Sequence, residues 1–130
     1  MIVDASALLA VVFDEPERDR FLDILGGAQE LSISVINVVE AGIKVDKDPN
    51  PQRASLLEEL TGTLAIEVAP ISTEQGRIAR QAHKAFGRGS GHPAQLNLGD
   101  CFAYALAQVR SEPLLFKGND FSKTDVEAAL

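Results

Sequence analysis

An α/β fold with a mainly parallel central sheet is what this sequence predicts, and three observations predict it. Short runs of aliphatic residues recur along the 130 residues. Stretches with apolar residues at helical spacing separate those runs. Glycine or proline stands at most of the junctions, so strands and helices alternate, which is the pattern of a sheet covered by helices.

Each element has a local reason. Ile2-Val3 is a β-prone pair that ends at Asp4 and passes directly into the helix-favouring Ala-Ser-Ala-Leu-Leu-Ala. Pro16 and the acids around it suit a fresh helix start, Phe21, Leu22, Ile24 and Leu25 give that helix an apolar face, and Gly26-Gly27 stops it. Residues 31–34 read as a second strand, with Ser34 placed to cap a helix over 35–45. Pro49 and Pro51 interrupt the chain before a helix that carries Leu56, Leu57 and Leu60. Residues 64–68 alternate like a strand that Pro70 ends. A polar helix over 72–86, a glycine-rich loop over 86–97, a helix over 97–109, a buried strand over 113–116 and a closing helix complete the order. No linker or internal repeat divides the chain, so residues 1–130 are expected to form one domain.

Composition narrows the function classes. Nineteen Asp and Glu stand against twelve Lys and Arg, a formal charge of −7, which excludes a protein that coats nucleic acid by net charge. The single cysteine, Cys101, excludes an internal disulfide and suits a reducing compartment. An acid at position 4 and no early Lys or Arg argue against a secretory signal, and the apolar run over 5–13 is too short for a bilayer. A cytoplasmic protein without a membrane segment is the expectation.

In open parallel sheets the ligand site lies beyond the carboxyl ends of the strands. Asp4 closes the first strand and Asp120 follows the last, while Asp100 sits in the first turn of the helix over 97–109. Each has an ordinary structural use as well: Asp4 as a helix cap, Asp100 in a capping box with Asn97, and Asp120 as a turn residue after Gly118-Asn119. Glu40 is more informative. Apolar residues fall on nearly every side of the helix over 35–45, which predicts a helix enclosed by protein, and only Asn37, Glu40 and Lys44 form a polar stripe. That stripe either faces water, with Glu40 pairing Lys44, or lines a polar cleft. Four carboxylates meeting in one place repel by about 1 kcal/mol per pair at ~4 Å in water and about 4 at an effective dielectric near 20. A divalent cation relieves this, and all-oxygen ligands favour Mg²⁺ or Mn²⁺.

A polyanionic substrate needs local positive charge, and the chain has it. No acid occurs over residues 75–99, whereas Arg77, Arg80, Lys84 and Arg88 follow one another at i, i+3, i+7 and i+11. They share a helical face or its continuation, either as a solvated surface or as a grip on a phosphate backbone. The glycines at 87, 89 and 91 lack the Gly-Lys-Ser/Thr of a P-loop. Cys101 lies among Leu98, Phe102 and Ala105 and reads as structural, and His92 has no partner at zinc spacing. Ser6 is placed to orient Asp4 through its hydroxyl.

Met1-Ile-Val-Asp4-Ala-Ser6, the helix with Glu40, His92-Pro93-Ala-Gln-Leu-Asn97-Leu-Gly-Asp100-Cys-Phe-Ala-Tyr-Ala-Leu-Ala and Leu114-Leu-Phe-Lys-Gly-Asn-Asp120-Phe-Ser-Lys-Thr-Asp125 resemble, in order and spacing, the VapC toxins of the PIN-domain ribonuclease family. The resemblance covers essentially the whole chain. It implies a PIN-like α/β/α sandwich that cleaves RNA with Mg²⁺ or Mn²⁺, is silenced by a VapB-type antitoxin, and forms homodimers. It also implies that Asp4, Glu40, Asp100 and Asp120 are the acidic quartet, with Asp4 and Asp100 as direct metal ligands and Ser6 supporting the first acid. Asp125 competes with Asp120 for the fourth place, and Asn119 stands where a further acid sometimes occurs. The expected reaction is in-line hydrolysis leaving 5′-phosphate and 3′-hydroxyl ends, on RNA displayed as loops or unstacked bases.

Three other classes fit parts of the chain. A phosphoaspartate hydrolase would use Asp4 as nucleophile, but it normally has a second acid where Ser6 stands. A receiver-like signalling module suits the length and Lys117, but needs an acceptor Asp after the middle strand, where residues 64–70 offer none. A non-catalytic regulator would bind only its partner and show no metal-dependent turnover.

Overall fold

The computed structural model describes residues 1–130. Its elements are β1 (Ile2–Val3), α1 (Ala5–Val12), α2 (Arg18–Gly27), β2 (Ser32–Ser34), α3 (Val35–Asp46), α4 (Gln52–Thr63), β3 (Glu67–Ala69), α5 (Thr73–Phe86), α6 (Leu98–Arg110) and β4 (Leu114–Leu115), then a 3₁₀ turn over Phe121–Lys123. The sheet runs β3-β2-β1-β4 with every pairing parallel. β1 therefore lies inside the sheet, and its two residues are fully buried, as strands covered on both faces must be.

Side-chain alternation along these short strands builds three layers. Ile2 and Leu114 point to a core shared with α5 and α6, whereas Val3 and Leu115 point to the opposite core with α1, α2, α3 and α4. The result is the α/β/α sandwich expected from the sequence. No helix is long and apolar enough to cross a membrane.

Four local expectations differ from the structure. α3 is not enclosed: Val35, Val39 and Ile43, spaced four apart, are 38%, 53% and 49% exposed, because nothing covers the outer side of the helix. Ser34 occupies the cap position of α3, but its hydroxyl makes no capping bond and is buried without a partner. The third strand is Glu67–Ala69 rather than 64–68, since α4 closes through Leu64 and Ala65 at φ 49°, which leaves Leu64 and Ile66 packed beside the second core from a turn. After β4 the chain forms only the 3₁₀ turn and an extended tail, and that tail pairs with β4 through a parallel bridge between Leu114 and Ala128. The tail takes its backbone bonds from the sheet edge, with Leu114 N–H donating to Glu127 and Ala129 N–H donating to Leu114.

Candidate active site

Three elements converge on one cleft of about 350 Å³, lined by Asp4, Ala5, Ser6, Leu9, Glu40, Ile43, Lys44, Asn97 and Asp100. Asp4 is carried there by the end of β1, Asp100 by the first turn of α6, and Glu40 by the middle of α3. Glu40 and Lys44 of the polar stripe of α3 thus line a cleft while Asn37 is fully buried, and Glu40 makes no ion pair with Lys44: its partner is Asn37.

Each of the three carboxylates commits one oxygen to local structure and leaves the other uncommitted. Asp4 caps α1, its Oδ2 accepting the Ser6 N–H at 3.0 Å and the Ser6 hydroxyl at 2.5 Å. The Ser6 hydroxyl in turn accepts the backbone N–H of Lys117 at 3.0 Å, tying the end of β4 to the first acid. Asp4 Oδ1 is buried with no hydrogen-bond partner. Asp100 completes a capping box: its Oδ2 accepts the Asn97 N–H at 3.0 Å, and Asn97 Oδ1 accepts the Asp100 N–H at 2.8 Å. Glu40 Oε1 accepts from Asn37 Nδ2 at 2.7 Å. The capping roles and a role in the cleft are therefore compatible, because different oxygens serve them.

Burial is the main reason that all three acids hold protons more tightly than usual. Asp4 is raised by burial first, opposed by the Ser6 bonds, with Glu40 adding repulsion. Glu40 is raised by burial and by Asp100, against the Asn37 bond. Asp100 is pushed up to about 6 by burial, with Asp4 and Asp120 adding repulsion, while the Asn97 bond and the positive charge of Arg88 oppose the rise. Asp120 is exposed and is not among the residues lining the cleft; its charge reaches the site only as repulsion at Asp100.

Asp125, the rival fourth acid, accepts the Tyr104 hydroxyl at 2.6 Å. Asn119 is exposed, and its one hydrogen bond is from the Ser122 hydroxyl to its backbone carbonyl, so its side chain makes no hydrogen bond to any of the acids. Lys117 directs its ammonium to Glu15 and Glu17, away from the place a receiver-like lysine would need. Cys101 is buried and its thiol is pushed up to about 11 by burial, which suits a structural residue. His92 packs edge-on against Phe86, and its Nδ1 accepts the Ala94 N–H, leaving it no part in a zinc site.

Arg77, Arg80, Lys84 and Arg88 are all exposed, and none forms an ion pair. Arg80 and Lys84 border a groove of about 550 Å³ with His83, Leu98 and Phe102, beside the start of the helix that carries Asp100. The sequence sets Asn37 on the polar stripe and gives it no role, and nothing local marks Gly99, where an added Cβ would overlap the Glu40 carboxylate. Spacing i, i+3 from Glu40 was the available signal for Asn37, but a contact 62 residues distant was needed to show its other partner, the Gly99 carbonyl.

The donor set is all carboxylate oxygen, which fits a hard divalent cation. The orphaned Asp4 Oδ1 is the observation that asks for one, since a buried polar atom without a partner costs about 1–3 kcal/mol. No three acids stand close enough to ligate one ion together. Mg²⁺ is normally held by only one or two carboxylates and keeps its waters, a demand that a pair of the cleft's acids fits.

Fold and site together define a small α/β/α domain with a cleft that gathers three carboxylates at the carboxyl ends of a parallel sheet. The PIN domain model matches residues 1–127. VapC ribonuclease Mb0625 of Mycobacterium bovis is 46% identical over 130 residues, covering 100% of this chain and 98% of that protein. Ribonuclease VapC42 of Mycobacterium tuberculosis is 42% identical over 129 residues, with 99% and 98% covered. Among solved structures, the Mycobacterium tuberculosis sarcin-ricin loop cleaving toxin VapC20 superposes with a TM-score of 0.75 at 12% identity, over 96% of this chain and 95% of that one. VapBC2 from Rickettsia felis, bound to a DNA fragment from its promoter, gives 0.76 at 14% identity over 98% and 94%. The chain belongs to the VapC ribonucleases of the PIN-domain family.

Proposed function

We propose that this chain is a Mg²⁺- or Mn²⁺-dependent endoribonuclease, the toxin of a VapBC-type pair, and that a VapB-type antitoxin silences it. The carrying observation is the convergence of Asp4, Glu40 and Asp100 on one cleft with an unpartnered oxygen on Asp4, in a chain 46% identical to a VapC ribonuclease. Asp4 and Asp100 would hold the cation. When bound, the ion supplies Lewis-acid charge at the phosphodiester and lowers the pKa of the attacking water.

The chain's own residues do the rest. Ser6 fixes Asp4 by donating to one oxygen, so the other faces the cleft in a single orientation. Asn97 does the same for Asp100 through its backbone N–H. Glu40, raised by burial, is suited to take a proton from the attacking water or to bind the ion through a water. Asp120 serves as the fourth acid through its charge at Asp100, a choice favoured by the engagement of Asp125 with Tyr104. Arg77, Arg80, Lys84 and Arg88 draw the RNA backbone toward an otherwise acidic molecule.

A homodimer in the cytoplasm is the expected working form, and the exposed apolar stripe of α3 supports an association surface. Incubating purified, antitoxin-free protein with total RNA, with and without Mg²⁺, and sequencing the new 5′ ends tests the reading. Discrete new ends that require the metal are expected; identical RNA in both arms refutes it.

A further inference from the structure

Asn37 is fully buried, yet its side chain is only half satisfied. Its Nδ2 donates both hydrogens, to Glu40 Oε1 at 2.7 Å and to the Gly99 carbonyl at 3.1 Å, while its Oδ1 is buried without a partner. An apolar residue here would continue the packed face of α3 and remove the orphaned carbonyl. Stability alone therefore does not account for an asparagine at this position.

Its two bonds share one consequence. Helical side chains lean toward the N-terminus of their helix, and Asn37 catches Glu40 in that direction, one turn back. There the carboxylate lies over the bare Cα of Gly99, where any Cβ would occupy the same space. Gly99 in turn is fixed to Asn37 by its carbonyl and adjoins Asp100 in α6. A glutamate has three rotatable bonds and could follow an ion of any size. This one is held between an amide and a glycine, on the element that carries the next acid.

We propose that Asn37 is a positioning residue: with Gly99 it forms a socket that fixes Glu40 relative to Asp100, and this fixed spacing makes the cleft select a small divalent cation over a large one. The inference rests on the cation-dependent reading above and specifies its selectivity. Mg²⁺ demands near-ideal octahedral geometry, whereas Ca²⁺ accepts flexible coordination at longer distances. Glu40 would meet the ion through one of its bound waters, so a carboxylate held still suits the rigid octahedral water shell of Mg²⁺ and not the looser shell of Ca²⁺, whereas a released carboxylate could follow either.

The test is calorimetric titration of the antitoxin-free full chain, without RNA, using Mg²⁺ alone and Ca²⁺ alone. Wild type, Asn37→Leu and Gly99→Ala are compared after their ion-free melting temperatures establish that each is folded. Asn37→Leu removes the donor, and Gly99→Ala displaces Glu40 sterically, so two unrelated changes should give one signature. Mg²⁺ affinity should fall about tenfold or more, the usual cost of losing a group that orients a ligand. Ca²⁺ affinity should change much less, so the Mg²⁺:Ca²⁺ preference drops in both variants. Unchanged affinities, or equal losses for both ions, overturn the socket while leaving the cation site standing. A wild-type chain that binds neither ion overturns the cation site and the socket together.

Discussion

The cleft and the loop after β4 treat their acids in opposite ways. In the cleft, Asp4, Glu40 and Asp100 are each held by one oxygen and leave the other uncommitted. In the loop, Asp120 is exposed and its side chain makes no hydrogen bond, while Asp125 is tied to Tyr104. The difference teaches that restraint, rather than the count of carboxylates, marks the acids suited to an ion. Held acids present charge at fixed positions, and an unheld acid adds field without geometry.

Breaking the held set should have the largest effect. Asp100→Asn keeps the shape and the capping acceptor but removes the charge, and RNA cleavage should fall roughly a thousandfold or more, since direct charge stabilisation of this kind is worth several kcal/mol. Steady-state cleavage of a defined RNA measures it, and a loss below tenfold would return Asp100 to a purely capping role. Asp120→Asn should cost less, about tenfold, as expected for a group acting beyond direct contact. Asp125→Asn should leave cleavage near wild type while weakening the Tyr104 bond, for about 1.5 kcal/mol of stability in a urea titration. If Asp125→Asn abolishes cleavage and Asp120→Asn does not, the two loop acids exchange roles.

Much of this was legible in the sequence, and the remainder has physical reasons. The strands and helix faces could be read because burial imposes periodicity locally, and Ile2-Val3 and Leu114-Leu115 carry that signal within two residues. The capping box at Asn97 and Asp100 was equally local. Periodicity shows which residues are apolar and not which are covered, so the outward stripe of Val35, Val39 and Ile43 was misread as enclosed. The tail's bond to β4 and the Asn37–Gly99 contact join distant segments, and no local pattern announces them. Asp120 and Asp125 lie in one loop and compete in the sequence, and what separates them is distant in the chain: Asp120 adds repulsion at Asp100, while Asp125 accepts the Tyr104 hydroxyl.

The pH response sharpens the same contrast. Asp100 holds its proton up to about 6 when folded, against 3.8 as its ordinary value. Between these values the folded state binds more protons than the unfolded state, so the contribution to stability falls as pH rises through that window. Asp4 and Glu40, also raised, act in the same direction. Ion-free wild type should therefore lose melting temperature from pH 4 to pH 7 relative to Asp100→Asn, and millimolar Mg²⁺ at pH 7 should restore it. Parallel curves for the two proteins would mean that the cleft is not strained by its charge.

The basic face gives the smallest expected effect. Replacing Arg80 and Lys84 with Ala should weaken RNA binding and reduce the slope of log affinity against log salt by about 1.4, two contacts at about 0.7 each for single strands. An unchanged slope would make those residues a solvated surface.

The most direct measurement is anomalous diffraction from crystals of the antitoxin-free protein soaked in Mn²⁺. A single dominant peak in the cleft, ligated by Asp4 and Asp100 with Glu40 facing it, is the predicted result. A cleft without a peak at saturating Mn²⁺, with the three carboxylates in their present positions, would contradict the account.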